Sequence, residues 1–221
     1  MDKIISNYVK YKFLFKEDIK HSSYLYQKVF RSIYGYTQNV TKKDKKTYLY
    51  HREGIIENTP YIRPGKNSII LPINTEHKLI NFFNTGKSTT HNFKEKGDWS
   101  IDYTIERVEI NTIDIIKATE NYLNYLQIRS IEGNNKKLYE ELNKLINDSE
   151  YLSKYKKANK DHLLNKLKHI LEIDWINKTK ENSEKINLFI TNSNKIKELF
   201  LNGTPSKETS IEATNKDNNS I

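Results

Sequence analysis

Acid, base and cation side chains fall close together at a few places in this chain, and each grouping implies a different chemistry. His51-Arg52-Glu53 and Glu76-His77 pair general-base or metal-ligand groups. Neither has the i, i+4 histidine spacing by which a helix holds zinc, and His162 and His169 stand two turns apart with no obvious third ligand. Ordinary surface or core histidines are the simpler reading. Asp98, Asp102, Glu106 and Glu109 lie on or near one alternating stretch, with Asp102 and Glu106 on the same face, as a carboxylate-metal nuclease would need. The run Glu106-Arg107-Val108-Glu109 lacks the acid-x-Lys pattern of such enzymes, which favours a solvated strand edge. Phe83-Asn84-Thr85-Gly86-Lys87-Ser88 ends like a phosphate-binding loop, but Asn81 stands where that loop needs its first glycine. Because the residues before it have helical spacing, Gly86 reads as a helix C-cap.

The strongest constellation is aromatic and basic together. Tyr11, Phe13, Phe15, Tyr48, Tyr50 and Tyr103 can line a sheet, with Lys10, Lys12, Lys28, Arg31, Lys42, Lys43, Lys45, Lys46, Arg52, Arg63 and Lys66 around them. Rings stack on bases at ~1–3 kcal/mol each while cations neutralise phosphates, so such a surface suits single-stranded nucleic acid. Two loop-edge stretches mix aromatic, amide and basic groups in the same way: residues 32–38, with Tyr36, and residues 61–66. The competing use of alternating aromatics is a face buried against helices. Strand parity leaves either Tyr11, Phe13 and Phe15 or Lys10, Lys12 and Leu14 on the open face.

Composition bounds the rest. The 221 residues carry 37 Lys and Arg against 28 Asp and Glu, a net charge of +9, with a mean hydropathy of −0.81. Residues 1–66 hold 14 basic and 6 acidic side chains, so the excess is N-terminal and points to a polyanionic partner. The absence of cysteine removes zinc ribbons, thiolate nucleophiles and disulfides. No apolar run approaches the ~20 residues of a membrane span, and the charged N-terminus is unlike a signal peptide. The expectation is a cytoplasmic protein without membrane contact. No motif calls for a cofactor or a metal.

The elements that position these groups follow from spacing. Tyr11, Phe13 and Phe15 alternate as on a strand; Ser22-Ser23 and the stripe Val29, Phe30, Ile33 predict a helix ending near Gly35. A lysine-rich turn at 42–46 leads into a second strand, Thr47-Tyr48-Leu49-Tyr50. Ser68-Ile69-Ile70-Leu71-Pro72 reads as a third, residues 75–86 as a helix, 87–97 as a loop, and Trp99 to Ile110 as a fourth strand. This β-α-β-β-α-β order predicts an α+β fold: a ferredoxin-like N-terminal domain over residues 1–111, with a winged helix as the second topology. RNA-recognition modules use the same order, but Arg63 to Leu71 lacks their stacking aromatics. Strands vanish after Asn111, and the apolar spacing predicts a helical domain over 112–201 followed by a disordered tail, 202–221. The domain reads as four helical segments, about 113–126, 138–155, 163–175 and 186–200, with Asn192-Ser193-Asn194 a weak point in the last.

The functional expectation is a nucleic-acid-binding protein, DNA or RNA undecided, whose basic half grips the polyanion and whose helices serve self-association into a homo-oligomer or docking. The rivals are a metal-dependent nuclease using Asp102, Glu106 or His51, and an interaction protein docking on an acidic partner.

Overall fold

Alternation along β1 (Lys3–Phe15) organises the N-terminal half. In the computed structural model, which describes residues 2–15, 19–20, 22–87 and 99–201, this strand lies inside a four-stranded antiparallel sheet. The chain continues through α1 (Tyr24–Tyr34), β2 (Tyr36–Thr41), β3 (Thr47–Arg52), β4 (Ile62–Gly65), β5 (Ser68–Leu71), α2 (His77–Thr85) and β6 (Trp99–Asn111). The strand order is β4-β5-β1-β6. β1 pairs with β6 from Lys3 opposite Asn111 to Phe15 opposite Trp99, and with β5 from Asn7 opposite Leu71 to Lys10 opposite Ser68.

Parity sends Val9, Tyr11 and Phe13 to one face, where they meet Val29 and Ile33 of α1 and Leu79, Phe82 and Phe83 of α2. The rings pack edge to face, Tyr11 on Phe13 at 5.5 Å and Phe13 on Trp99 at 5.8 Å between centroids. Tyr103 joins this side against Phe83 at 5.4 Å. The aromatic alternation is therefore core, and Lys10, Lys12 and Leu14 are the exposed set. Both helices end as their glycines require. Gly35 and Gly86 take positive φ, and each donates its N–H back to the last turn.

The sheet's second face is not open along its whole length. Ile4, Tyr8, Ile62, Ile70, Val108 and Ile110 pack against the C-terminal helices, and Trp175 Nε1–H donates to Ser6 Oγ at 3.1 Å. With both faces covered, β5 is buried at every position, and Ile69-Ile70-Leu71 forms an apolar run rather than an alternation.

β6 passes directly into α3 (Thr112–Tyr125), followed by β7 (Gln127–Arg129), β8 (Asn135–Lys137), α4 (Leu138–Asn147), α5 (Ser149–Ser153), α6 (Lys157–Leu171), α7 (Asp174–Thr179) and α8 (Glu184–Leu201). Their apolar stripes converge: Leu142, Leu145, Leu163, Leu167, Ile170, Ile186, Phe189 and Ile196 are buried together. Among the large aliphatic side chains of α3 and α8, Ile113, Leu188 and Leu201 stay exposed.

Several expectations need correction. Residues 47–50 do not enter the main sheet; β3 pairs with β2, a strand unforeseen in the sequence, as a separate two-stranded ribbon. The fourth place in the sheet is held by β4, within the stretch read as loop. Strands do not vanish after Asn111, because Gly133, at φ 84°, turns β7 back onto β8. The second and third helical segments each break in two. At the first break Asp148 stops α4 and caps α5 by accepting the Tyr151 N–H at 2.8 Å. α8 runs unbroken through Asn192-Ser193-Asn194. Most of the expected 87–97 loop and the 202–221 tail lie outside the described residues.

Candidate nucleic-acid interface

The β2–β3 ribbon leaves the body at Gly35 and Gly54, whose backbones meet so closely that a Cβ on Gly54 would sit 2.1 Å from the Gly35 nitrogen. Beyond that point both strands are solvated, with every residue of β3 exposed. Register puts Tyr36 opposite Arg52, Gln38 opposite Tyr50 and Val40 opposite Tyr48, so these six share one face. Tyr48 and Tyr50 lie 6.4 Å apart between ring centroids. Arg31 of α1 sits 5.0 Å from the Tyr36 ring centre, and Lys42 sits 4.5 Å from that of Tyr48.

The ribbon's tip is Lys42-Lys43-Asp44-Lys45-Lys46, all exposed. Lys42 N–H donates to the Lys46 carbonyl at 3.0 Å, Lys45 N–H to the Lys42 carbonyl at 2.9 Å, and Lys46 N–H to Asp44 Oδ1 at 3.1 Å. Lys45 occupies the left-handed region at φ 62°, where glycine or asparagine is at home and a lysine is strained.

Eight of the residues expected from the sequence are thus gathered on one ribbon: Tyr36, Lys42, Lys43, Lys45, Lys46, Tyr48, Tyr50 and Arg52, with Arg31 at its base. Others lie elsewhere. Lys10 and Lys12 are exposed on β1, facing away from α1 and α2, and Lys12 stands opposite Asp102. Lys28 is on α1 beside Tyr24, and Lys66 is in the turn between β4 and β5. Arg63 of β4 lies 4.7 Å from the Tyr34 ring centre and donates to the Lys66 carbonyl at 3.4 Å.

At the ribbon base a groove of about 940 Å³ separates the two halves of the chain. It is lined from the first half by Tyr36, Thr37, His51, Glu53, Glu57, Tyr61 and Arg63, and from the second by Tyr122 and Tyr125 of α3, Arg129 of β7, and His162 and Lys166 of α6. His51 is hydrogen-bonded through Nε2 to Glu57 and through Nδ1 to Thr37 Oγ1, the latter at 3.0 Å. Glu57 also accepts the Gly54 N–H at 2.9 Å. Burial raises the pKa of Tyr34 and Tyr61 above the ordinary tyrosine value, with Arg63 acting against it. Burial lowers that of Lys166, and the Glu53 and Glu57 carboxylates oppose the shift.

Arg129 and Lys166, and the groove's use of His162 and Tyr125, were not legible. They come from helices and a short strand remote in sequence, with no motif to join them. Asp102 and Glu106, placed on β6 opposite Lys12 and Tyr8, do not line the groove with His51. Among the described residues no three His, Asp or Glu side chains are grouped as metal ligands. Gly86 closes α2 as a C-cap, and Ser88 lies outside the described residues. No helix among the described residues is long and apolar enough to cross a membrane. Comparison with protein families, curated proteins and solved structures finds no match for this chain.

Proposed function

We propose that this protein binds nucleic acid through the β2–β3 ribbon. The observation that carries the reading is the joining of four lysines at the tip to a contiguous face of Tyr36, Tyr48, Tyr50 and Arg52 on an element that packs into no core. Six residues per strand give a reach of about 20 Å. That exceeds the ~8.5 Å depth of a duplex major groove, whose ~12 Å width admits a two-stranded ribbon. The same tyrosines suit stacking on unpaired bases. Lysine at the strained tip position 45 fits a residue kept for its charge rather than for its backbone. In this reading β1, β4, β5 and β6 with α1 and α2 form a ferredoxin-like split βαβ unit, into which the ribbon is inserted as the recognition arm.

The test is fluorescence anisotropy of the protein with labelled single- and double-stranded DNA and RNA between 50 and 200 mM salt, values chosen for their strong effect on phosphate contacts. Binding should weaken steeply with salt. Replacing Lys42, Lys43, Lys45 and Lys46 with glutamine should flatten the slope of log affinity against log salt by about 3–4. An unchanged slope would remove the tip from the interface, and no binding to any of the four at low salt would overturn the reading.

A further inference from the structure

Binding alone leaves an acid–base set in the groove without a role. Glu57 as a carboxylate only accepts, so His51 Nε2 donates to it; in the neutral imidazole Nδ1 then holds the lone pair and accepts from the Thr37 hydroxyl at 3.0 Å. The imidazole is 42% exposed, within reach of a substrate lying in the groove. Glu57 is itself fixed by the Gly54 N–H. From α6 the same groove is lined by His162 and, one turn later, Lys166, whose Nζ donates to the Gln127 carbonyl at 2.7 Å. Lys166 lines the same groove as His51, Glu53 and Glu57. Tyr36, Tyr61 and Tyr125 line the same space, aromatic groups of the kind on which unpaired bases stack. Two imidazoles, one oriented by a carboxylate, and an ammonium around an aromatic groove suit attack on a phosphodiester by a hydroxyl of the substrate itself.

We propose that this groove cleaves single-stranded RNA by transfer of the phosphate to the neighbouring 2′-oxygen, an inference that rests on the nucleic-acid reading above. The RNA 2′-hydroxyl displaces Thr37 at His51 Nδ1, which takes its proton as the 2′-oxygen attacks phosphorus. The O2′–P bond forms and the P–O5′ bond breaks. Protonated His162 gives its proton to the departing 5′-oxygen, and Lys166 neutralises the non-bridging oxygens. The products are a 2′,3′-cyclic phosphate and a 5′-hydroxyl, and the two histidines return to their starting states by proton exchange with water. No electrons change hands and no co-reactant enters. DNA, lacking the 2′-hydroxyl, can occupy the groove but cannot react.

The experiment incubates the full chain with labelled single-stranded RNA, and with DNA of the same base sequence, in EDTA. Anisotropy reports binding, a denaturing gel reports cutting, and mass spectrometry reports the ends. RNA should be cut to cyclic-phosphate ends while DNA stays intact. Single-turnover rates at saturating protein should fall at least about 100-fold in His51→Ala and in His162→Ala. His51→Asn serves as a second variant if the first is unfolded by circular dichroism, and the RNA–DNA comparison needs no variant. RNA bound but intact in EDTA overturns the cleavage inference and leaves the binding reading standing. RNA left unbound overturns cleavage too, and absence of binding to every nucleic acid overturns both. Cutting that persists undiminished in the histidine variants overturns the assignment.

Discussion

Ser6 interrupts the apolar face of β1 with a hydroxyl, and its oxygen takes the indole N–H of Trp175 from 169 positions away. Both residues are fully buried, so the indole has no water to turn to. Ser6→Ala removes the acceptor and leaves the donor stranded, at a cost of about 1–3 kcal/mol. Urea unfolding should show a lower midpoint at an unchanged slope; an unaltered midpoint would mean that the bond contributes nothing to joining the sheet and helices. Neither residue announces this partnership in the sequence. Trp175 reads as the last apolar member of a helical stripe, and Ser6 as a polar residue in a strand. The same holds for His51 and Lys166, which a local motif search cannot bring together. By contrast, Tyr11 and Phe13 are legible because burial of one sheet face imposes a period of two on the chain itself.

Packing makes most of the readable elements readable; β3 is the exception, exposed throughout yet legible from its alternating tyrosines. α1, α2, β5 and β6 leave periodic or continuous apolar signatures, and Ser23, accepting the Tyr26 N–H at 3.3 Å, caps the first helix where its spacing requires. The β2–β3 ribbon buries almost nothing, so Tyr36 to Thr41 carries no apolar face to mark it as a strand. The break at Asp148 is likewise hidden, since Leu142, Leu145 and Leu152 keep a helical rhythm across it. The ribbon's independence from the core makes it removable. Replacing residues 37–51 with Asn-Gly, which favours a tight hairpin turn between Tyr36 and Arg52, should cost less than about 1 kcal/mol and lower the melting temperature by no more than about 2–4 °C. Nucleic-acid affinity should fall to the level of the glutamine tip variant or below. Thermal melts and anisotropy on one preparation check both, and a collapse of the melting temperature would show that the ribbon supports the body.

Across the whole molecule the sheet divides two cores, one of aromatic rings beneath α1 and α2 and one of aliphatic stripes among the C-terminal helices. Each contains tyrosines that ionise with difficulty. Burial raises the Tyr11 phenol in the first core and the Tyr122 and Tyr155 phenols in the second far above the ordinary value of 10.0. Tyr155 is also held neutral by donating to Glu141 at 2.7 Å, a carboxylate shared with Tyr151 at 2.8 Å. Their contribution to stability is therefore complete below pH 10 and declines above it, because the unfolded chain releases phenolic protons that the folded chain keeps. Lys166, whose pKa burial lowers, acts with the opposite sign, but it is one group against these three tyrosines and against Tyr34, Tyr61 and Tyr151, which burial also raises. Each buried tyrosine held neutral contributes up to about 1.4 kcal/mol per pH unit to the slope once the unfolded phenol is ionised. Urea unfolding followed by tryptophan fluorescence at pH 8 and pH 10.5 should show the fall, with tyrosinate absorbance rising in step with unfolding because these rings ionise only when their core opens. Tyr11→Phe should make the fall shallower by one tyrosine's share. Since both cores meet on the same sheet, they should unfold together; stability that stays flat over this range would mean that these phenols reach solvent in the native state.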